Sequence, residues 1–265
     1  MIAVPSGAFI YGRDDIGVEA EIPRSFQMSK FPITTTAYAN MLNWSLDNGH
    51  VYVDEDRTEV KPTDGKDRAL YNYTKTSEET RAVLFRNGRF EANPSLSDHP
   101  MQAISWHGAA FYANMVALSK GHDPYYDQAA WTPFDPEAGG WRLPTDMEWE
   151  YSAGYNDARE YPWGDEEIDE ERANYGNTGS FTNAVTENPT GQSQLGFFGF
   201  GGNVADWTDG IDLPAGVPTS SNGRINTRGG TWNCEHWYST TYHQWPQYPE
   251  TKDNRVGFRL VWVGG

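Results

Sequence analysis

The stretch that decides the fold covers residues 140–151 and reads GWRLPTDMEWEY. Its middle carries a helix start, because Pro144 is followed by Thr145 and Glu148 stands three residues later. In such a capping box the threonine side chain accepts a backbone N–H of the first turn, and the glutamate returns the hydrogen bond. We therefore predict a short helix that begins after Thr145, the third helix of the chain.

Two longer helices are predicted before it. The first starts at Thr34 after Pro32 and ends at Gly49, with apolar residues at helical spacing between them. The second runs from Ser105 to about Lys120. Strands are predicted over residues 2–12 and 24–30. Residues 50–98 are polar and irregular, which predicts an inserted hairpin or long loop over the core. The rest is loop-rich chain with short strands, so the predicted fold class is α+β in one domain, 1–265.

Composition limits the function classes. The net charge of −17 disfavours nucleic acid and anionic membranes as partners, since both need local positive charge. This acidity fits solubility, with cation binding by some carboxylates as a second reading. No apolar run approaches the ~20 residues of a membrane span, so membrane insertion is not expected. The start lacks a basic region, which predicts synthesis in the cytoplasm without a signal peptide.

The last forty residues combine a rigid frame with an unusual insert. The frame segments are RGGTW at 228–232 and GFRLV at 257–261, and both are predicted to be buried strands. The insert at 233–255 reads NCEHWYSTTYHQWPQYPETKDNR and contains no aliphatic residue and no glycine. Aromatic rings mixed with small hydrogen-bonding side chains are typical of antibody-like contact surfaces. We therefore predict that residues 228–261 form a ligand-binding segment.

The predicted ligand contacts share this insert and its polar or aromatic character. They are Cys234, Glu235, His236, Trp237, Tyr238, Ser239, Thr240, Tyr242, His243, Trp245, Gln247 and Tyr248. Because the insert has too little aliphatic content to fold inward, we expect its aromatic rings to converge on one exposed face. Core packing of these rings is the plainer alternative.

Six ordered motifs resemble the formylglycine-generating enzyme family. The 140–151 stretch is similar to the family's RLPTEAEWEYA signature, and the 228–232 and 257–261 segments resemble its closing motifs. The remaining four matches are FPIT at 31–34, HP at 99–100 with SW at 105–106, YPWGD at 161–165 and GFGGNVADW at 199–207. The resemblance implies a C-type-lectin-like fold with a small antiparallel sheet, two main helices and long structured loops.

The resemblance also implies structural calcium bound by loop oxygens. The matching positions are Asn203, the Val204 carbonyl and Asp206, with a weaker second site at Asn174 and the Tyr175 carbonyl. Carboxylate, amide and backbone oxygens are the ligands that Ca²⁺ takes. Turn capping by Asn203 and Asp206 is the alternative.

The family's oxidase holds Cu(I) with two cysteines, two and seven residues after the aromatic of the RGGSW motif. In this chain the corresponding positions are Cys234 and Ser239, so one soft thiolate ligand is missing and no copper is expected. The Arg, Tyr and Arg that the family has further on are replaced by Thr240, His243 and Gln244. We therefore predict that no catalytic residue is present. If the chain is an enzyme after all, Cys234 is the candidate catalytic residue.

The insert keeps the family's length but not its residues, which fits another branch of this scaffold. That branch comprises the variable proteins of diversity-generating retroelements, whose corresponding segment is rewritten at adenines. The residue types that such changes interconvert readily fill 12 of the 23 insert positions. The leading prediction is a non-catalytic protein that binds a variable protein or cell-surface ligand, with display on a virion or cell surface.

Three alternatives stay open at this point. Cys234 could act as a redox or nucleophilic residue with His236 or His243 as its base. The same three side chains could instead bind zinc or copper. The chain could also be a structural or accessory protein that only packs against a partner.

Overall fold

The computed structural model describes residues 1–13, 15–55, 59–64, 69–72, 80–135, 138–177, 181–210 and 223–264. Within these ranges it contains three α-helices, which are α1 (Thr35–Asp47), α2 (Trp106–Ser119) and α3 (Asp146–Gly154). Each begins as predicted, with the side chain of Thr34, Ser105 or Thr145 accepting a backbone N–H of the first turn. At α3 both hydrogen bonds of the predicted capping box are present.

The described strands are short. The first nine are β1 (Ile2–Val4), β2 (Gly7–Tyr11), β3 (Val18–Ile22), β4 (Phe26–Met28), β5 (Val51–Val53), β6 (Glu59–Pro62), β7 (Tyr71–Asn72), β8 (Val83–Arg86) and β9 (Arg89–Ala92). The other eight are β10 (Tyr126–Asp127), β11 (Thr132–Pro133), β12 (Gly140–Arg142), β13 (Ala205–Trp207), β14 (Ile225–Arg228), β15 (Gln244–Gln247), β16 (Val256–Phe258) and β17 (Val261–Val263). Single-turn 3₁₀ helices lie at Pro94–Leu96, Pro189–Gly191 and His236–Ser239.

Two four-stranded sheets organise the chain. The first has the order β1-β4-β17-β12 and joins the two ends of the chain. The second has the order β15-β14-β13-β16, and its β13–β16 pair is parallel. The α+β class is confirmed. The small antiparallel sheet that the resemblance implies takes the form of two four-stranded sheets, with several ribbons of two or three strands beside them.

The core has two parts. The larger surrounds α1 and α2, and the smaller packs around Trp149 and Phe200. Residues 50–98 include the antiparallel pairs β5–β6 and β8–β9, while 56–58, 65–68 and 73–79 lie outside the described residues. Val51, Val60 and Phe90 from this region are buried in the larger core. The region is therefore part of the core and not only a covering loop.

Three strand predictions need correction. The buried 257–261 segment is not one strand, because it divides between β16 and β17, which belong to different sheets. Residues 2–12 divide at Pro5 into β1 and β2, which belong to different sheets. The RGGTW segment is buried up to Thr231, but its strand ends at Arg228 because Gly229 turns away with a φ of +86°. A Cβ at Gly229 would lie 2.5 Å from the Phe200 carbonyl oxygen, so the backbone approaches too closely for any other residue.

No helix in the described part of the chain is long and apolar enough to cross a membrane.

Candidate ligand-binding face

The 233–255 segment leaves the second sheet and returns to it. After β14 the chain turns at Gly229, forms the 3₁₀ helix His236–Ser239 and comes back as β15, antiparallel to β14. The register pairs Arg228 with Gln244, so the excursion is anchored where β14 ends. The excursion between the two strands carries exposed residues at 235–237 and buried residues at 239–241.

Four rings of this segment form a continuous cluster, which we call the ring cluster: His236, Trp237, Tyr238 and His243. The ring centroids lie 5.2 Å apart for His236–Trp237, 5.9 Å for Trp237–Tyr238 and 4.5 Å for Tyr238–His243. Trp237 is 49% exposed, and Tyr238 and His243 are half-buried. The ring cluster is thus supported from below and open to solvent.

The other predicted rings lie apart from the ring cluster. The Trp245 ring lies 4.6 Å from the Arg255 guanidinium and packs against the larger core. The Tyr248 ring is half exposed and lies 4.8 Å from the guanidinium of Arg224. Within the described residues no ring contact links these two to the ring cluster, so the predicted single convergence divides into separate groups.

Four further predicted contacts vary in exposure. Glu235 is exposed, while Cys234, Tyr242 and Gln247 are half-buried.

Ser239 and Thr240 are buried, which corrects their assignment as ligand contacts. Thr240 Oγ1 donates to the Trp237 carbonyl at 3.1 Å. The neighbouring Thr241 is also buried, and its Oγ1 donates to the Arg159 carbonyl at 2.8 Å. The hydroxyls of Thr240 and Thr241 find partners in the interior, so the insert folds inward here without aliphatic residues.

Arg228 fixes the backbone of the segment from underneath. Its side chain is fully buried, and its guanidinium donates to the carbonyls of Thr241 at 3.0 Å and Tyr242 at 3.1 Å. The same guanidinium pairs with Glu150 and lies over the Trp149 ring at 5.1 Å. The bonds to the segment go to its main chain, so they do not depend on which side chains the segment carries.

A polar network extends from Arg228 along α3. Asp146 and Glu150 stand one turn apart on the same helix face. Asp146 accepts from the Tyr11 hydroxyl at 2.6 Å and from Asn226 Nδ2 at 2.9 Å. The sequence analysis did not predict this polar network, although two carboxylates at i, i+4 spacing inside the 140–151 stretch indicate a polar helix face.

Burial shifts the pKa of two groups near the segment. Burial raises the pKa of Glu150 to about 7, even though the Arg228 charge opposes the shift. Burial, followed by the positive charge of Arg228, lowers the pKa of His243 below its ordinary 6.5. His243 is therefore neutral near pH 7 and can offer one donor and one acceptor.

Cys234 is half-buried and accepts the Thr231 backbone N–H at its Sγ, 3.0 Å away. Ser239, at the second cysteine position of the family, is buried, and its hydroxyl has no hydrogen-bond partner among the described residues. No group of three or more His, Cys, Asp or Glu side chains in the described ranges is arranged to hold a metal ion. The geometry therefore gives no support to a zinc or copper site built on Cys234, His236 and His243.

The Asn203 side chain does not fit a calcium ligand. Its Oδ1 accepts the Asn183 N–H at 2.8 Å, and its Nδ2 donates to the Asn183 carbonyl at 3.0 Å. Asn174 Nδ2 donates to the Phe181 carbonyl, and the Asn174 backbone carbonyl accepts the Asn203 N–H. Asn174 Oδ1 has no hydrogen-bond partner among the described residues, so the weaker calcium set at Asn174 and the Tyr175 carbonyl stays a prediction. The two asparagine side chains join separate loops to one another, which differs from the turn capping that the sequence left as the alternative.

Asp206 does not fit a calcium ligand either. It is fully buried, and its Oδ2 accepts from Arg259 Nε at 2.7 Å and from Trp149 Nε1 at 3.0 Å. The Arg259 guanidinium already supplies the positive charge that a calcium ion would bring. Asp206 Oδ1 has no hydrogen-bond partner among the described residues, but Arg259 already balances the carboxylate charge, so we assign no calcium ion to Asn203, Val204 and Asp206.

The comparisons with known proteins agree with the fold. The family model described as "Sulfatase-modifying factor enzyme 1-like domain" matches residues 1–263. Two solved structures superpose over the whole chain at 19% identity. They are Treponema denticola variable protein 1, with a TM-score of 0.67 and 95% of that chain covered, and CarF, with 0.69 and 98%. At this identity the likeness shows the fold alone.

Two curated relatives share sequence over 98% of this chain. The serine/threonine-protein kinase pkn1 of Chlamydia pneumoniae is 25% identical over 278 residues, and the match covers 37% of the kinase. The formylglycine-generating enzyme of Mus musculus is 23% identical over 301 residues, with 74% of the enzyme covered. The chain thus spans little more than a third of the kinase's length. Since the family model covers almost every residue, this chain belongs to the sulfatase-modifying factor enzyme 1-like family.

Proposed function

We infer that this chain is a non-catalytic ligand-binding protein that presents the ring cluster to a partner molecule. The observation that carries the inference is the position of Arg228, whose guanidinium holds the carbonyls of Thr241 and Tyr242 beneath that cluster. A main chain fixed by residues outside the segment keeps its path when exposed side chains are exchanged. Buried residues that fix the backbone, with exchangeable side chains exposed above them, suit a binding face whose specificity changes.

The chemistry of the ring cluster supports binding. Trp237 combines a large apolar area with about half of its surface free. Aromatic rings that are already packed against neighbours lose little conformational entropy on binding, so they serve well as anchors. The two histidines and the Tyr238 hydroxyl add donors and acceptors around that anchor. A folded protein or another cell-surface molecule is the partner class that such a mixed surface suits.

We further propose that a retroelement diversifies this segment. The composition of residues 233–255 supports the idea, since over half of its positions carry types that adenine changes interconvert. Treponema denticola variable protein 1 shares the fold of this chain, which supports the proposal. Display on a virion or cell surface belongs to the same proposal.

An oxidase is the weaker candidate. The chain has one cysteine, so the copper-binding thiol pair of the family's oxidase cannot form within it. At the second position Ser239 is buried beneath the segment and faces Gly230, where an added Cβ would lie 2.4 Å from its hydroxyl. Cys234 Sγ accepts a hydrogen bond from the Thr231 N–H. Nothing observed in the described residues favours redox chemistry at this thiol.

Sequencing the genomic locus in several isolates tests the proposal. We expect a near-duplicate of the codons for 228–261 beside a reverse-transcriptase gene, with differences confined to adenines of the duplicate. Variation should concentrate at the ring cluster and spare Arg228. A locus without a duplicate, or isolates that differ as much at Arg228 as at Trp237, would overturn the proposal.

A further inference from the structure

We propose that a second site, remote in sequence from residues 233–255, binds a small organic cation. It is a cleft of about 620 Å³ between the β10–β11 hairpin and the β12–β17 strand pair. Ligand pockets for small molecules commonly have volumes of about 300–1,000 Å³. Its lining shares no residue with the 233–255 segment.

Aromatic residues form its two walls. On the hairpin side, Phe134 N–H donates to the Tyr125 carbonyl at 3.0 Å, so these two residues face each other across the hairpin. On the opposite side stands Trp262, next to Gly139 and Gly140, whose lack of side chains leaves the cleft open. The rings supply apolar contact area, which suits a ligand with a hydrocarbon body.

The exposure of Phe134 is the main observation that favours ligand binding in this cleft. It is 65% exposed, more than any other large aromatic residue in the described ranges. A ring left in water at the mouth of a cleft gains free energy when a ligand covers it. Its open face also carries the negative pole of the ring quadrupole, which attracts cations.

The charged residues of the lining indicate which sign of charge a ligand would carry. Asp123 and Asp135 are the acidic residues of the lining, and no lysine or arginine lines the cleft among the described residues. An anion would meet repulsion here, whereas an organic cation gains attraction from the carboxylates and the rings together. Charge complementarity therefore favours a cation over a neutral sugar.

Neighbouring rings already attract cations of the chain itself. Lys120 Nζ lies 5.5 Å from the centroid of the Trp141 ring, which packs against Trp262 at 5.2 Å. The Arg142 guanidinium lies 5.8 Å from the Tyr125 ring. The proposed ligand would extend this pattern to the ring face that the chain leaves open at Phe134.

Calorimetric titration with a matched probe pair tests the site. The probes are choline and 3,3-dimethylbutanol, which have the same shape but differ in charge. We expect choline to saturate one site per chain in the millimolar range and the alcohol to bind about tenfold more weakly, which corresponds to about 1.4 kcal/mol and lies between the cation–π contributions of exposed and desolvated sites. Phe134→Ala and Asp123→Asn should each weaken choline binding severalfold.

Matched controls separate the cleft from general effects. Tyr52→Ala removes another exposed aromatic ring, and Glu21→Gln removes another exposed carboxylate, both outside the cleft. Neither should change choline binding, and all four variants should keep the wild-type melting temperature. Equal affinity for the two probes, tighter binding of methyl glucoside than of choline, or no saturable binding in the millimolar range would overturn the proposal. So would equal losses in the control variants.

Discussion

Glu150 and Arg228 form a fully buried ion pair directly beneath the backbone of the 233–255 segment. The pair joins α3 to the end of β14, and its arginine also donates to the carbonyls of Thr241 and Tyr242. The last rigid element before the segment and the helix below it are thus fixed to each other. Exchangeable surface residues need a support of this kind.

Replacing Arg228 by methionine should therefore be severe. The change leaves Glu150 buried without its cation and frees two backbone carbonyls, so we expect a loss of about 3–5 kcal/mol in the free energy of unfolding. Denaturant unfolding at pH 8 measures it. The loss should be smaller at pH 5, because Glu150 is then protonated. Exchange of the exposed Arg24, as R24M, is the control and should cost less than about 1 kcal/mol, because ion pairs at the surface contribute little.

The pH dependence of stability should report on Glu150. Its pKa is about 7 in the folded protein against an ordinary 4.5, so the folded state binds more protons between these values. Its contribution to the unfolding free energy is complete below pH 4.5 and falls as pH rises to 7, by an amount on the order of 3 kcal/mol. Relative to the Glu150→Gln variant, the wild type should lose stability over this window. Parallel curves for the two proteins would contradict the assignment.

Gly229 should tolerate no side chain. Gly229→Ala combines a left-handed φ with a Cβ only 2.5 Å from the Phe200 carbonyl oxygen and 3.0 Å from the Trp149 ring. Gly121→Ala is the matched control, since that residue has a φ of +75° but nothing within 4 Å of the added Cβ. We expect about 1–2 kcal/mol of destabilisation for the control and clearly more for Gly229→Ala, measured by thermal unfolding. Equal costs would show that the close approach is unimportant.

Chelation should leave the melting temperature unchanged. Asp206 is neutralised by Arg259, and the side chain of Asn203 is bonded to Asn183, so EDTA has no ion to remove from this set. Asp206→Asn should still destabilise the protein, by about 3 kcal/mol or more, because Arg259 loses its buried partner. A fall in melting temperature with EDTA that is reversed by calcium and abolished in Asp206→Asn would show instead that calcium binds here.

Local sequence signals predicted the helices well. Thr34, Ser105 and Thr145 are caps, and a cap acts through hydrogen bonds within one helical turn. The outcome at Ser239, Thr240 and Thr241 was not predictable in this way, because their burial depends on partners such as Arg159 that lie far away in sequence. The pairing of Asp206 with Arg259 is similarly long-range, which is why motif likeness alone suggested calcium ligands there.

The central claim is that the ring cluster is exchangeable over a fixed platform, and two matched libraries test it most directly. One library varies His236, Trp237, Tyr238 and His243 among Asn, Tyr, His, Asp, Ser and Thr. The other varies Ser239, Thr240 and Thr241 among the same types. The protease resistance of each variant measures its free energy of unfolding.

We predict that most members of the first library stay within about 1 kcal/mol of the wild type, since His236 and Trp237 are exposed, Tyr238 and His243 are only half-buried, and substitutions outside the core have small effects. Most members of the second should lose 2 kcal/mol or more, because larger or charged groups would be forced into buried positions. A first library that is destabilised as much as the second would contradict the account.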